Sequence, residues 1–123
     1  MWKSNFEASL KITMARFNVK NLRKRTELSQ EELARILETS WVTVSRWERK
    51  IAAPNPEAET RLRRLSELLR RIGRVLPAQE ILRFLETPHP LLRNCPPMDL
   101  LKSDYAFQQL VDFVEGAKSG DMA

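Results

Sequence analysis

The stretch Leu28–Lys50, LSQEELARILETSWVTVSRWERK, decides how the chain is read. Ser29-Gln30-Glu31-Glu32 has the spacing of a capping box. In that arrangement the Ser29 hydroxyl accepts the backbone N–H of Glu32, and the Glu32 carboxylate reaches back to the amide of Ser29. Leu33, Ala34 and Leu37 then fall on one face of a helix. Ala34 is small enough to let a second helix cross closely. Glu38-Thr39-Ser40 makes the turn, and Ser40 is a natural N-cap for the next helix, Trp41 to about Arg49. On that second helix Val44 and Trp47 face inward. Trp41, Val42, Thr43, Ser45, Arg46 and Arg49 are left outward or near the helix start. A helix that enters the major groove of DNA needs short or polar side chains on its N-terminal outer face, and cations for phosphates. An ordinary amphipathic helix pair needs only the inward face, and these residues taken singly satisfy both descriptions.

Charge favours the first. The chain has 123 residues, enough for one domain or two very small ones, and a net charge of +5. That charge is uneven. Residues 1–74 hold 17 basic and 9 acidic side chains, a balance of +8, whereas residues 75–123 hold 4 and 7, a balance of −3. A basic front that coincides with the helix pair predicts contact with a polyanion there and a different task in the rear. Cys95 is the only cysteine, so no internal disulfide can form. Together with the lack of a signal peptide or long apolar run, this predicts a cytoplasmic protein with no membrane contact. No Cys/His cluster has zinc spacing, and three glycines leave little room for a phosphate-cradling loop. No metal or cofactor is expected. His89 and Cys95 lie six apart in a proline-rich loop, but a thiol nucleophile needs a base and an oriented partner. No third member is identifiable, so no catalytic residue is assigned and the chain is not read as an enzyme.

Outward from the helix pair, Val19–Arg25 is a preceding helix with Leu22 inward and Lys20, Lys24 and Arg25 toward water or phosphate. Before it, Ser4-Asn5-Phe6-Glu7 repeats the capping-box spacing, and Phe6, Leu10, Met14 and Phe17 form an apolar stripe. That N-terminal helix must bury its stripe on the same chain or on a second copy. Ala52-Ala53-Pro54-Asn55-Pro56 is a break. Glu57–Val75 is a long helical pattern with Leu62, Leu65, Leu69, Ile72 and Leu76 on one face. Its other face carries Arg63, Arg64, Arg70, Arg71 and Arg74, with Glu59–Arg63, Arg63–Glu67 and Glu67–Arg71 at ion-pair spacing. The seam suits a dimer contact or, as the better fit, the join between the two parts of the chain. Pro77 starts a helix through about Glu86. Thr87–Pro97 holds four prolines in eleven residues and reads as an ordered loop. A short helix Met98–Lys102 comes next. A last helix, capped by Ser103 or Asp104, carries Phe107, Leu110, Val111 and Val114. The organisation expected is 1–75 and 76–123, all-α, with five helices in the first part counting the N-terminal one.

The front resembles the Xre/Cro-type helix-turn-helix repressors over roughly 19–69. The matching runs are Leu22-Arg23-Lys24-Arg25-Thr26, Leu28–Ala34 and Thr43–Glu48. That family carries a Gly in the turn where this chain has Glu38, and usually another where it has Lys50. The resemblance implies that Gln30 holds a phosphate and that Trp41, Val42 and Arg46 face base edges. Thr43 and Arg49 would lie nearer the DNA backbone, with Ser40, Ser45 and Lys50 completing the DNA-facing set. Arg23 and Glu48 would form an ion pair tying the first helix to the end of the recognition helix. Trp41 is unusual at its position; a bulky ring there could contact a thymine methyl group, pack on sugar or be partly shielded in the free protein.

The rear is similar to the toxin-binding domain of the MbcA/ParS/Xre antitoxin family. It carries Phe84-Leu85-Glu86-Thr87-Pro88-His89-Pro90-Leu91-Leu92, then Pro97-Met98-Asp99-Leu100-Leu101, then Val111, Val114, Glu115 and Gly116. His89 stands for the family's usual Asn, Arg93-Asn94 stand where glycines are common, and Pro96 replaces a capping Ser. Asn94 can supply a left-handed turn residue. The resemblance implies an antitoxin that neutralises a RES-type, NAD-consuming toxin and represses its own operon. Phe113, Lys118 and Asp121 would be the toxin contacts. Operator double-stranded DNA and the cognate toxin are the partners implied, and a homodimer is expected because one short helix reads only a few base pairs. The alternative is a stand-alone dimeric repressor whose rear half only dimerises.

Overall fold

The computed structural model describes residues 18–119. The N-terminal helix expected over 1–17 lies outside the described residues, as does Asp121. Among the described residues the architecture is all-α. Helix α1 is Val19–Arg25, α2 is Gln30–Ile36, α3 is Trp41–Glu48, α4 is Pro56–Ile72, α5 is Ala78–Glu86 and α6 is Asp104–Ser119. Two 3-10 helices, Pro90–Leu92 and Pro97–Leu101, lie between α5 and α6.

Most of these helices start where a side chain can satisfy an orphan amide. Asn18 accepts from Asn21 N at 3.0 Å ahead of α1. The Ser29 capping box is complete: Glu32 N donates to Ser29 Oγ at 3.0 Å and Ser29 N donates to Glu32 Oε1 at 2.8 Å. Asn55 caps α4 through Ala58 N at 2.8 Å, with Pro56 in the first turn. Ser103 caps α6 through Ala106 N at 3.1 Å.

The first three helices also end alike. Leu28 N donates to Arg23 O at 3.1 Å, Thr39 N to Ala34 O at 2.9 Å and Ile51 N to Arg46 O at 2.9 Å. Each is the long closing bond of a Schellman motif, which needs one left-handed residue. Those residues are Glu27 (φ 55°), Glu38 (φ 56°) and Lys50 (φ 60°). The two positions where the resembled family carries glycine are thus left-handed here too, although a Cβ there costs roughly 1–2 kcal/mol. Arg93 (φ 59°) and Asn94 (φ 58°) do the same in the proline loop. That loop is closed by His89 N donating to Cys95 O at 3.3 Å.

The core is one cluster running the length of the described chain. Leu33, Val44, Leu62, Leu65, Leu68, Leu85 and Leu110 are fully buried in it. The expected stripe on α4 is present, with Leu68 added and Leu76 only half-buried. Burying each such leucine contributes about 1.5–3 kcal/mol. α4 ends at Ile72, three residues before the Val75 expected, with Gly73 as its C-cap. The segment expected as a short helix over 98–102 is the 3-10 turn Pro97–Leu101.

The arginine face of α4 differs from expectation. Neither Glu59–Arg63 nor Arg63–Glu67 pairs among the described residues. Glu67 is occupied by Arg70 at 2.7 Å and Arg71 at 2.9 Å, and Arg63 stays exposed. Arg64 and Arg71 turn instead toward the rear. Arg64 donates to Leu101 O at 2.8 Å and pairs with Asp104, and Arg71 pairs with Glu115 at 2.6 Å. Glu38 takes Lys102 at 2.8 Å and Arg61 at 3.0 Å, and Arg35 pairs with Glu86. A polar seam therefore joins the helix-turn-helix and α4 to the end of α5, the second 3-10 turn and α6. Most of these pairs have an exposed partner and contribute under about 1 kcal/mol each, so the seam sets register more than stability.

Candidate nucleic-acid interface

The seating of α3 follows from what it buries. Val44 is inaccessible and Trp47 is nearly so. Both lie on the face turned into the core, which forces the opposite face outward. The C-terminal end of α3 is held by Glu48. Arg23 Nε donates to Glu48 Oε2 at 2.7 Å and Arg23 Nη2 to Glu48 Oε1 at 2.9 Å, a two-pronged pair with side-chain exposures of 18% and 5%. The third Arg23 bond goes to Leu28 O at 3.1 Å. One guanidinium thus ties α1, the α1–α2 turn and α3 together. The hydrogen bonds from Arg23 hold the Glu48 carboxyl below the usual carboxylate range, although burial pushes the other way. The ion pair inferred from resemblance is present.

The outward face then presents a short series of groups. Trp41 is 52% exposed and Val42 39% exposed. The Ser40 hydroxyl caps α3, accepting from Thr43 N at 3.2 Å, and shares a hydrogen bond with the Thr43 hydroxyl at 2.9 Å. Ser45 is half-buried. Arg46, Arg49 and Lys50 are exposed, and none has an ion-pair partner among the described residues. These cations collect at the C-terminal end of α3, where the helix dipole also favours them. An open groove of about 490 Å³ lies on one side of the helix start, lined by Arg23, Ser29, Gln30, Glu31 and Trp41. A second, of about 370 Å³, runs past Thr43, Arg46 and Asn55 toward Arg61.

Gln30 stands somewhat apart. Its side-chain amide donates to Glu48 Oε1 at 3.4 Å, and Glu31 shares its groove. The side chain joins the Arg23–Glu48 cluster rather than standing free toward solvent. Ile51, 63% exposed directly after α3, is not among the residues that sequence reasoning singles out. Its one signal is its place before the proline break.

In the rear, Phe113 is half-buried and packs against the core, its ring 4.6 Å from that of His89 in an edge-to-face contact. Lys118 pairs with Glu115 at 3.4 Å and is half-buried. The His89 ring also accepts from Leu91 N at 3.1 Å, which gives it a structural place in the loop. Among the described residues no group of three or more His, Cys, Asp or Glu could hold a metal ion, and no helix is long and apolar enough to cross a membrane.

Residues 19–73 match the helix-turn-helix family model, and this segment is a helix-turn-helix domain. No curated protein matches the chain. Among solved structures the chain is similar to the antitoxin MbcA in the MbcT–MbcA toxin–antitoxin complex of M. tuberculosis. The TM-score is 0.70 and the identity 25%, over 84% of this chain and 92% of that one. The similarity therefore extends well past the helix-turn-helix into the rear half.

Proposed function

We propose that this chain is an antitoxin of a type II toxin–antitoxin pair, with a helix-turn-helix that represses its own operon and a rear half that neutralises a RES-type, NAD-consuming toxin. The observation that carries the reading is the similarity to MbcA across both halves. A repressor with an unrelated dimerisation tail would share only the front. The boundary between the two tasks falls near residue 75, where α4 has ended and the charge changes sign.

On the DNA side, Trp41, Val42 and Arg46 face base edges in the major groove. Thr43, Arg49 and Lys50 lie along the phosphates, and Ser40 and Ser45 line the contact. Gln30 acts beside them at the start of α2. The chain binds a palindromic operator as a homodimer, with half-sites about 10 bp apart or a multiple of that. On the toxin side, the contact involves the end of α6 and the residues beyond it, with Phe113, Lys118 and Asp121 as those to test. The chain performs no catalysis and acts in the cytoplasm.

Co-expression with the neighbouring reading frame tests this. The expected result is growth arrest by that frame alone, relief when this chain is present, and recovery of both proteins in one complex. A neighbouring frame that is harmless and does not copurify, beside a chain that still shifts promoter DNA, would overturn the antitoxin part.

A further inference from the structure

The outer face of α3 has few groups that can hydrogen-bond a base. Discrimination in the major groove draws on Arg or Lys for guanine, Asn or Gln for adenine, Asp or Glu for cytosine, and apolar contact for the thymine methyl group. No Asn, Gln or Asp occurs in α3, Trp41–Glu48. Its one Glu, Glu48, is held by Arg23. The amide of Gln30, which shares a groove with Trp41, is directed at that same Glu48, and Asn55 beside Arg46 caps α4. The Ser40 and Thr43 hydroxyls are bonded to each other and to the helix start. The groups left forward on the helix are an indole, an isopropyl group, one guanidinium and the hydroxyl of the half-buried Ser45. Trp41 and Val42 are together the two large apolar side chains exposed on α3. An adjacent exposed apolar pair rimmed by polar groups is the kind of surface that serves as a contact site. The cations Arg46, Arg49 and Lys50 toward the other end of the helix point to a polyanionic partner for that site.

We infer that Trp41 and Val42 read the C5-methyl groups of thymines, and that Arg46 supplies the charged hydrogen-bond donor from α3 that specifies a base, a guanine. This rests on the DNA-binding reading and names what that site recognises. Each operator half-site then contains a guanine flanked by thymines, and its recognition depends on methyl groups that carry no hydrogen bond.

The test has two steps, both with the full chain. Selection from a random duplex library gives the preferred half-site, and each of its thymines is then replaced by deoxyuridine, which removes only the methyl group. Two positions should each weaken binding about fourfold, the equivalent of about 0.8 kcal/mol per methyl group. In Val42→Ala one of these penalties should vanish, and in Trp41→Ala the other. Both residues are exposed, so the variants should keep the wild-type thermal midpoint. Selected half-sites without thymine beneath α3, or uracil duplexes bound as tightly as the parent, would overturn the inference and leave DNA binding standing. A uniform loss in Trp41→Ala with both uracil penalties intact would overturn the role of Trp41 by making its ring a sugar contact. Failure to enrich any sequence would overturn the DNA reading and this inference with it.

Discussion

Replacing Glu48 with glutamine should destabilise the protein by about 2–3 kcal/mol at neutral pH. The side chain is 5% exposed and accepts two short bonds from Arg23, which is itself only 18% exposed. Breaking a fully buried pair by removing one partner costs roughly 3–5 kcal/mol, because a charge is left without compensation. Arg23 keeps its bond to Leu28 O and some access to water, which lowers the figure. For a chain of this size the loss corresponds to a fall in Tm of roughly 8–12 °C. The effect has a pH signature. Glu48 titrates below the ordinary carboxylate range because Arg23 donates to it. Its contribution is therefore complete above the unfolded value of about 4.3 and is lost as pH falls through the depressed folded value. Glu38, Glu67 and Glu115 are lowered as well, but they are present in both proteins and cancel in the difference. Urea unfolding of wild type and Glu48→Gln from about pH 7 to about pH 3 should show a gap that closes below about pH 4.3. The double replacement Arg23→Met with Glu48→Leu should recover most of the loss, since an apolar pair of similar volume removes both charges. A gap under about 0.5 kcal/mol, of the size expected for a surface pair, or one independent of pH, would refute the idea that this pair fixes the recognition helix.

Ser29→Ala should cost about 1 kcal/mol through loss of the capping box, read as a lower thermal midpoint; no shift would contradict the cap. Lys50→Gly should stabilise the chain by about 0.5–1 kcal/mol, because it relieves a left-handed Cβ at a residue without an ion pair. The same change should weaken DNA binding and flatten its salt dependence by about one unit of slope. Glu38→Gly relieves the same strain but severs the bonds to Lys102 and Arg61, so its net change in midpoint should be smaller than that of Lys50→Gly. Arg46→Ala should cost roughly 1–3 kcal/mol of operator affinity and relax preference at one base pair, whereas an equal loss on all sequences would make Arg46 a phosphate contact.

The parts of the molecule that are legible in the sequence are those encoded locally. Caps at Ser29, Ser40 and Ser103 announce helix starts, because the acceptor and the amide it satisfies lie within three residues. The Val44 and Trp47 pair on α3 and the leucine stripe of α4 follow from helical period alone. The Arg23–Glu48 pair spans 25 residues and no local rule produces it; only family resemblance reaches it. The polar seam escapes sequence reading for the same reason. Arg64 and Arg71 turn to Asp104 and Glu115 on α6. Spacing within a helix cannot show that a second helix brings a carboxylate to the same arginine. Phe113 stands out in the sequence for lying off the α6 stripe, and the proline loop supplies it with His89 as a packing partner. The fold of that loop depends on two left-handed residues, which helical period cannot encode.

If one chain carries two separable tasks, a variant that removes one of them should leave the other intact. Trp41→Ala with Arg46→Ala alters only exposed side chains of α3. This double variant should be produced beside the neighbouring reading frame proposed to encode the toxin, while promoter output and growth are read in the same cells. Repression should be lost and protection from the toxin kept. Loss of protection together with repression, from a protein that remains folded, would contradict the division of labour between the two halves.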